Sequence, residues 1–345
     1  MASDLWPDHG LEAVATCPYC DGSERTLAHE GVEDWAFDCA PGQWNYWSCA
    51  QCQSLYLNPR PAVATIGKAY ARYYTHAGTN GGGPLGSLKQ RLRNEYWSCT
   101  FKTSIQPRLG LPRGLGWALA WLKPYIAEPF GLRQWAQAPK GLLIDVGCGN
   151  GEKLKLAAQL GWQTLGIEMD ASAVHAAQAQ GLNVVQGGYE MLERYAGQAD
   201  CVVCSHVLEH VHQPVHLLRL LLAALTPTGV LLLSAPNAAS QLRRHYGQNW
   251  RGLEAPRHLA IPDAAWLMGW VRSQGFDCTQ VPAHPLETAL ESERMRRRAP
   301  VASPQDAVAA KTVVLEMAGV PPEQDDVVQL VCTRALRFKP GGTPV

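Results

Sequence analysis

The 345-residue chain has no surplus of charge, because 30 Lys and Arg offset 30 Asp and Glu. Zero net charge gives no global basic field to hold a nucleic acid or an anionic membrane. Long hydrophobic runs are also missing. The most apolar windows, Leu115 to Leu122 and Leu217 to Leu225, fall far short of the roughly 20 residues that span a bilayer. Both predict packed helices, and Trp117 and Trp121, four apart on the first, predict a core-facing stripe rather than a membrane contact. The N-terminal MASDLWPDHG lacks the basic and apolar regions of a secretory signal, so the cytoplasm is the expected address. No internal repeat appears, and low complexity is confined to a short Gly run and a Pro- and Gly-containing tail. What remains, 46% hydrophobic, predicts a globular core sufficient for one α/β domain plus an accessory module.

The segment Leu142 to Gly151 (LLIDVGCGNG) places a short apolar run before an acid and three glycines at alternate positions. Leu142, Leu143, Ile144 and Val146 predict a buried parallel strand. Glu152 to Leu160 then carries Leu and Ala at helical spacing up to Gly161. Gly147, Gly149 and Gly151 therefore sit where strand becomes helix, a turn that brings backbone close to a ligand and aims unpaired N–H groups at it. A dinucleotide fingerprint would need its last glycine at Glu152. Asp145 inside the turn suits a ligand with an ammonium group and a sulfonium better than a pyrophosphate.

A second strand, Thr164 to Ile167, ends at Glu168, 21 residues after Gly147, where doubly wound folds put an acid on ribose hydroxyls. Asp170 predicts an N-cap for the helix Ala171 to Gln180, which Gly181 closes. This strand, acid and glycine pattern resembles motif I and its sequel in class I S-adenosylmethionine-dependent methyltransferases. The resemblance implies a doubly wound, Rossmann-like α/β fold with a seven-stranded sheet. Its donor site would be lined by Asp145, Gly147, Cys148, Gly149, Gly151, Glu168, Met169, Gly188, Tyr189, Ser205 and His206. Gly187 and Gly188 stand where such enzymes commonly carry an acid after the third strand, so the adenine contact is expected from backbone or Tyr189. Asp200 is expected at the start of the fourth strand. The helix Val215 to Leu225, a strand Val230 to Ser234, and two final strands, Phe276 to Val281 and Asp326 to Thr333, complete the expected sheet, the last pair as an antiparallel edge.

Eleven cysteines do not read as a secreted disulfide scaffold. Cys17-Pro-Tyr-Cys20 and Cys49-Ala-Gln-Cys52 are CxxC knuckles separated by 28 residues, and the two-residue spacing lets both thiolates of a pair face one tetrahedral ion. Cys17, Cys20, Cys49 and Cys52 are the expected ligands of a structural zinc, with Cys39, inside the gap, able to stand in for one of them. Gln53 occupies the place after the second knuckle where a glycine often eases the turn. Cys201 and Cys204 lie in a strand pattern, where their odd separation sends them to opposite faces.

His206-Val-Leu-Glu209-His210 also matches the HxxEH zinc motif of inverted metallopeptidases, but it follows a strand and precedes Pro214, whereas that motif lies within a helix. SHVLEHV is similar to the segment after the fourth strand of small-molecule methyltransferases. Trp250 to Leu259 (WRGLEAPRHL) resembles a loop of bacterial enzymes of this class that carry an N-terminal zinc module and act on sugars or secondary metabolites. A neutral hydroxyl acceptor must lose a proton, a task that suits histidine. His258 is the first candidate base and His210 the second. An enolate-forming carbon acceptor would use a base in the same place.

The expected organisation is a zinc ribbon over 1–62, a helical linker or lid over 63–135, and a methyltransferase domain over 136–340 with a helical insertion at about 283–325. The expected activity is methylation, at oxygen or carbon, of a small-molecule or glycan-linked acceptor. The fourth strand lacks the following Asn or Asp with two prolines and an aromatic that adenine and glutamine amide methylases carry. The alternatives are an RNA methyltransferase with a zinc module, which zero net charge opposes, and a non-catalytic S-adenosylmethionine-binding protein. The insertion's Arg294, Arg296, Arg297 and Arg298 predict a solvated helix face or a phosphate contact.

Overall fold

The computed structural model describes residues 6, 8–71, 84–112, 115, 129–317 and 319–335. Trp117 and Trp121, the tyrosines Tyr73 and Tyr74, and the glycine run at 79–83 lie outside the described residues. No helix among the described residues is long and apolar enough to cross a membrane.

Near the N-terminus come β1 (Leu11–Glu12), β2 (Arg25–Val32), β3 (Trp44–Cys49), β4 (Leu55–Leu57) and β5 (Arg60–Pro61). Then follow β6 (Leu142–Val146), β7 (Gln163–Glu168), β8 (Val184–Gln186), β9 (Ala199–Ser205), β10 (Leu225–Pro236), β11 (Ala260–Ile261), β12 (Phe276–Gln280) and β13 (Val327–Arg334). Seven of them form one mixed sheet in the order β12-β13-β10-β9-β6-β7-β8, the expected α/β architecture. The chain divides into two compact units. One is drawn from Met1–Tyr73, Cys204–Leu222 and Val230–Val345, the other from Tyr74–Val203 and Ala223–Gly229.

In the second unit, β6, β7 and β8 pair in parallel, with Asp145 opposite Gly166 and Glu168 opposite Gln186. All but the first residue of β6 are buried, as a parallel strand covered on both faces requires. The helices Glu152–Gln159 and Ala171–Gln178 follow β6 and β7. Asp170 caps the second one as expected, its carboxylate accepting from the backbone of Ser172 and Ala173. Asp200 sits near the start of β9, where Oδ2 accepts from the Leu142 N–H at 3.0 Å and Oδ1 from the Thr226 hydroxyl at 3.3 Å. β10 starts at Leu225 rather than at the expected Val230.

In the first unit, β13 pairs antiparallel with β10 from Val230 opposite Thr333 to Pro236 opposite Val327, and with β12 through Cys278 opposite Cys332. This is the expected antiparallel edge. A separate four-stranded sheet has the order β11-β4-β3-β2, with Ala260 opposite Tyr56 and Ile261 opposite Leu55. The strand following the WRGLEAPRHL loop thus belongs to the sheet of the cysteine segment. Trp6, Trp44, Tyr46, Leu55 and Leu57 share one core with Tyr246, Trp250, Leu253, Leu259, Ala289 and Ala310. The insertion forms the helices Leu286–Arg296 and Pro304–Glu316, the latter opened by a Ser303–Asp306 capping box. Its arginines have partners within the unit: Arg294 pairs with Glu291, Arg296 with Glu293 and Arg297 with Asp306, while Arg298 lies over the Trp35 ring.

Candidate active site

The turn after β6 belongs to the second unit, together with Glu168, Met169, Gly188 and Tyr189. Gly147, Gly149 and Gly151 all have positive φ, at 69°, 54° and 80°, so the alternate spacing reflects a backbone that other residues would strain. At Gly149 a side-chain carbon would meet nothing within 4 Å, whereas at Gly151 it would strike Leu182 at 2.4 Å. Glu168 braces the turn: Oε2 accepts from Gly149 N at 2.9 Å and Oε1 from Asp170 N at 3.0 Å. Each oxygen keeps a further lone pair for a hydroxyl donor. Asp145 is buried, and its Oδ2 has no hydrogen-bond partner among the described residues. Burial raises its carboxyl to about 6, with Lys153 pulling down and Glu168 pushing up. A buried carboxylate oxygen without a donor fits a ligand that brings an ammonium group. Met169 is 73% exposed, leaving an apolar surface for a ring.

The four cysteines of the knuckles converge in the first unit. Cys17 and Cys52 Sγ are 3.5 Å apart, as are Cys20 and Cys49 Sγ. Donor atoms of all four lie within 4.8 Å of one another. Zn–S bonds of about 2.3 Å in a tetrahedron put sulfurs about 3.8 Å apart, so the spacing fits a single ion. The two knuckles share a backbone pattern, with Asp21 N donating to Cys17 O and Gln53 N to Cys49 O, both at 3.0 Å. Asp21 and Gln53 each take φ of 60°; Gln53 adopts the left-handed turn itself where a glycine is absent. Cys39 stands apart, its thiol donating to the Ala69 carbonyl at 3.2 Å.

A second polar cluster in this unit joins the HxxEH segment to the WRGLEAPRHL loop. Leu208–His210 is one turn of 3-10 helix, not the longer helix a metallopeptidase motif needs. Glu209 is fully buried; Oε1 lies 3.2 Å from His206 Nδ1, and Oε2 has no partner among the described residues. Burial would raise the Glu209 carboxyl, but the His206 hydrogen bond and the charges of His210, His206 and His258 hold it low. The His210 and His258 rings meet edge to face at 4.6 Å. His258 Nδ1 donates to the Gly252 carbonyl at 2.7 Å, leaving Nε2 3.7 Å from Glu254 Oε2 and 3.9 Å from Glu209 Oε1. Burial pushes the His258 imidazole down to about 4, so at neutral pH Nε2 is a lone pair facing carboxylates. His210 Nδ1 faces the Arg257 carbonyl at 3.1 Å and the Tyr70 hydroxyl at 3.0 Å.

Behind the histidines, Arg257 is wholly buried and grips Asp34 with two nitrogens, while its Nε donates to Glu254 at 3.0 Å. Arg251 also bonds Glu254. Burial would raise the Glu254 carboxyl, but Arg251, His258 and Arg257 hold it well below the usual carboxylate range. Tyr46 Oη sits between the Leu253 and His258 carbonyls at 2.5 and 2.7 Å, and Trp250 Nε1 donates to Asp326 at 2.7 Å. The loop is therefore a packed support rather than a free lid. His206 and Glu254 both hold left-handed backbones, with φ of 56° and 36°, and strain of this kind concentrates where side chains must be aimed.

The expected residues thus fall into separate groups. The donor set from Asp145 to Tyr189 lies in one unit, and Ser205, His206, His210 and His258 in the other, with His210 and His258 in ring contact. Sequence reasoning gave no role to Glu209, Glu254, Asp34, Arg257 or Tyr46. The HxxEH spacing contained Glu209, and Glu254, Arg257 and His258 stand at i, i+3 and i+4, but nothing local pointed to Asp34 or Tyr46.

A family described as a methyltransferase domain matches residues 121–281. The ubiquinone biosynthesis O-methyltransferase of Xanthomonas axonopodis pv. citri is 33% identical over 172 residues, covering 46% of this chain and 72% of that protein. The protein of the same name from Xanthomonas campestris pv. campestris strain B100 is 32% identical over 106 residues, 29% of this chain. In that case the chain spans only 44% of the relative's length. A solved S-adenosylmethionine-dependent methyltransferase from Archaeoglobus fulgidus is 19% identical, covering 62% of this chain and 91% of its own, with a TM-score of 0.42.

Proposed function

We propose that this chain, which belongs to the S-adenosylmethionine-dependent methyltransferases, methylates an oxygen or carbon of a small-molecule or glycan-linked acceptor. The observation that carries the acceptor chemistry is the cluster of Glu209, His210 and His258, where two histidines anchored through Nδ1 lie beside a buried carboxylate, one of whose oxygens has no donor among the described residues. Such a group suits a hydroxyl or enol acceptor, whose proton must leave before or during the displacement. The oxygen preference is also supported by the Xanthomonas relatives, which are named as O-methyltransferases of ubiquinone biosynthesis.

Asp145, the glycine turn and Glu168 would hold the donor, with Cys148, Met169, Gly188 and Tyr189 around it. When bound, S-adenosylmethionine supplies an electrophilic methyl group, so the protein's work is to position the acceptor, exclude water and take a proton. His258 Nε2, a lone pair at neutral pH, is our first proton acceptor and His210 our second. The knuckle cysteines would hold a structural zinc, because four thiolates close a tetrahedral site and leave no open position.

The test is to incubate the purified chain with labelled S-adenosylmethionine and nucleotide sugars, small phenols or quinols, or ribosomal RNA. Label in either small-molecule pool, abolished by His258→Ala while S-adenosylhomocysteine still binds, is expected. Label in RNA alone would replace the acceptor class, and failure to bind S-adenosylhomocysteine would refute the reading as a whole.

A further inference from the structure

The geometry points to a divalent cation site at Glu209, His210 and His258, separate from the four cysteines and able to bind an acceptor oxygen as a Lewis acid. One donor atom from each of the three side chains lies within 4.8 Å of the others, a separation that one ion bonded at about 2.0–2.2 Å to each can span with slight closure. Both imidazoles carry the outer support that metal-binding histidines ordinarily have. His258 Nδ1 is 2.7 Å from the Gly252 carbonyl and His210 Nδ1 3.1 Å from that of Arg257. Since a carbonyl only accepts, the proton belongs on Nδ1 and the lone pair on Nε2.

The third ligand is the independent sign that something is bound. Glu209 is fully buried, and while Oε1 is held by His206 Nδ1 at 3.2 Å, Oε2 has no partner among the described residues. A buried carboxylate oxygen without a donor is costly unless a ligand completes it. The ring nitrogen also faces acceptors: His258 Nε2 is 3.7 Å from Glu254, which Arg251 and Arg257 already hold, and 3.9 Å from Glu209, distances too long for hydrogen bonds and open to a cation between the ring and Glu209. The HxxEH spacing alone would have chosen His206, but that ring is engaged by Glu209 through Nδ1 and by the Ser234 hydroxyl through Nε2 at 3.3 Å. The loop contributes His258 in its place.

Two imidazoles and one carboxylate select a borderline divalent transition cation, such as zinc, iron(II), cobalt(II) or manganese(II), and leave coordination positions open. A hydroxyl bound there becomes more acidic, and its proton leaves to water while the alkoxide or phenolate oxygen stays on the cation. This deepens the function proposed above and rests on it: with the cation bound, the three side chains act through the metal instead of taking the proton themselves.

The full chain, stripped of metal and reloaded with cobalt(II), is expected to bind two equivalents, one showing thiolate-to-cobalt charge transfer and one without it. Glu209→Gln and His210→Gln are each expected to lose the second equivalent and keep the thiolate band, which reports that the chain is still folded around its knuckles. A single, thiolate-bound equivalent in the unaltered chain would overturn the inference, as would unchanged stoichiometry in both variants. Calorimetric binding of S-adenosylhomocysteine to the same samples separates the two claims. Cofactor binding without the second cation sinks only the metal site, whereas the second cation without cofactor binding sinks the methyltransferase reading.

Discussion

Replacing Asp145 by Asn tests the donor turn in two directions at once. The buried carboxyl sits at about 6 rather than the ordinary 3.8, so the folded, ligand-free protein holds its proton over a range where the unfolded chain has released it. The unfolded state therefore binds fewer protons between these values, and stability falls as pH rises through that window. The cost is absent well below pH 4, is about half developed at pH 5, and levels off near 3 kcal/mol above pH 7. Asn cannot ionise, so Asp145→Asn should gain about 1 kcal/mol on the unaltered protein between pH 5 and pH 8, whatever constant penalty its amide adds. Urea unfolding followed by tryptophan fluorescence at the two pH values measures this directly. The same variant should bind S-adenosylhomocysteine at least about 30-fold more weakly at pH 8, since a desolvated charge partner of the ammonium is worth upwards of about 2 kcal/mol. A pH-independent stability difference, or undiminished cofactor binding, would refute the placing of Asp145 as an empty-handed buried acid waiting for a cation.

Other substitutions probe the remaining parts. Arg257→Ala strands Asp34 and Glu254 in the interior and should cost about 3–5 kcal/mol; chemical denaturation showing less than about 1 kcal/mol would mean the network carries no weight. Cys17→Ser should release zinc on metal analysis and lower the unfolding temperature of the full chain, while full metal retention would remove the knuckle site. At Gly166, opposite Asp145 in β7, a side-chain carbon would meet Cys148 Sγ at 2.5 Å, Leu154 at 2.7 Å and Val184 at 2.9 Å. Gly166→Ala should therefore cost about 1–3 kcal/mol by overpacking, and an unchanged urea midpoint would contradict that crowding.

Much of the donor half was legible because its determinants are contiguous. A strand, an acid, three glycines and a helix occupy Leu142 to Gln159, and each signal is a rule about neighbours in the chain. Asp170 as cap, Asp200 near its strand's start and the antiparallel edge of β12 and β13 follow from the same local logic. The knuckles were legible for that reason too, since two residues between cysteines suffice to aim both sulfurs.

What the sequence could not determine is everything that depends on which distant surfaces meet. Asp34 and Arg257 are 223 residues apart, and no periodicity links a residue beside the knuckles to one in the loop before β11. The loop's own strand completes the sheet of the cysteine segment, which made Tyr46 a prop for the His258 backbone. Glu209 could be read as part of a motif, yet its free oxygen and its histidine neighbours arise only when the turn after β9 packs on that loop. Local chemistry was written in the chain; the buried charges found their partners only through long-range packing, where each must be matched because water is no longer there to do it.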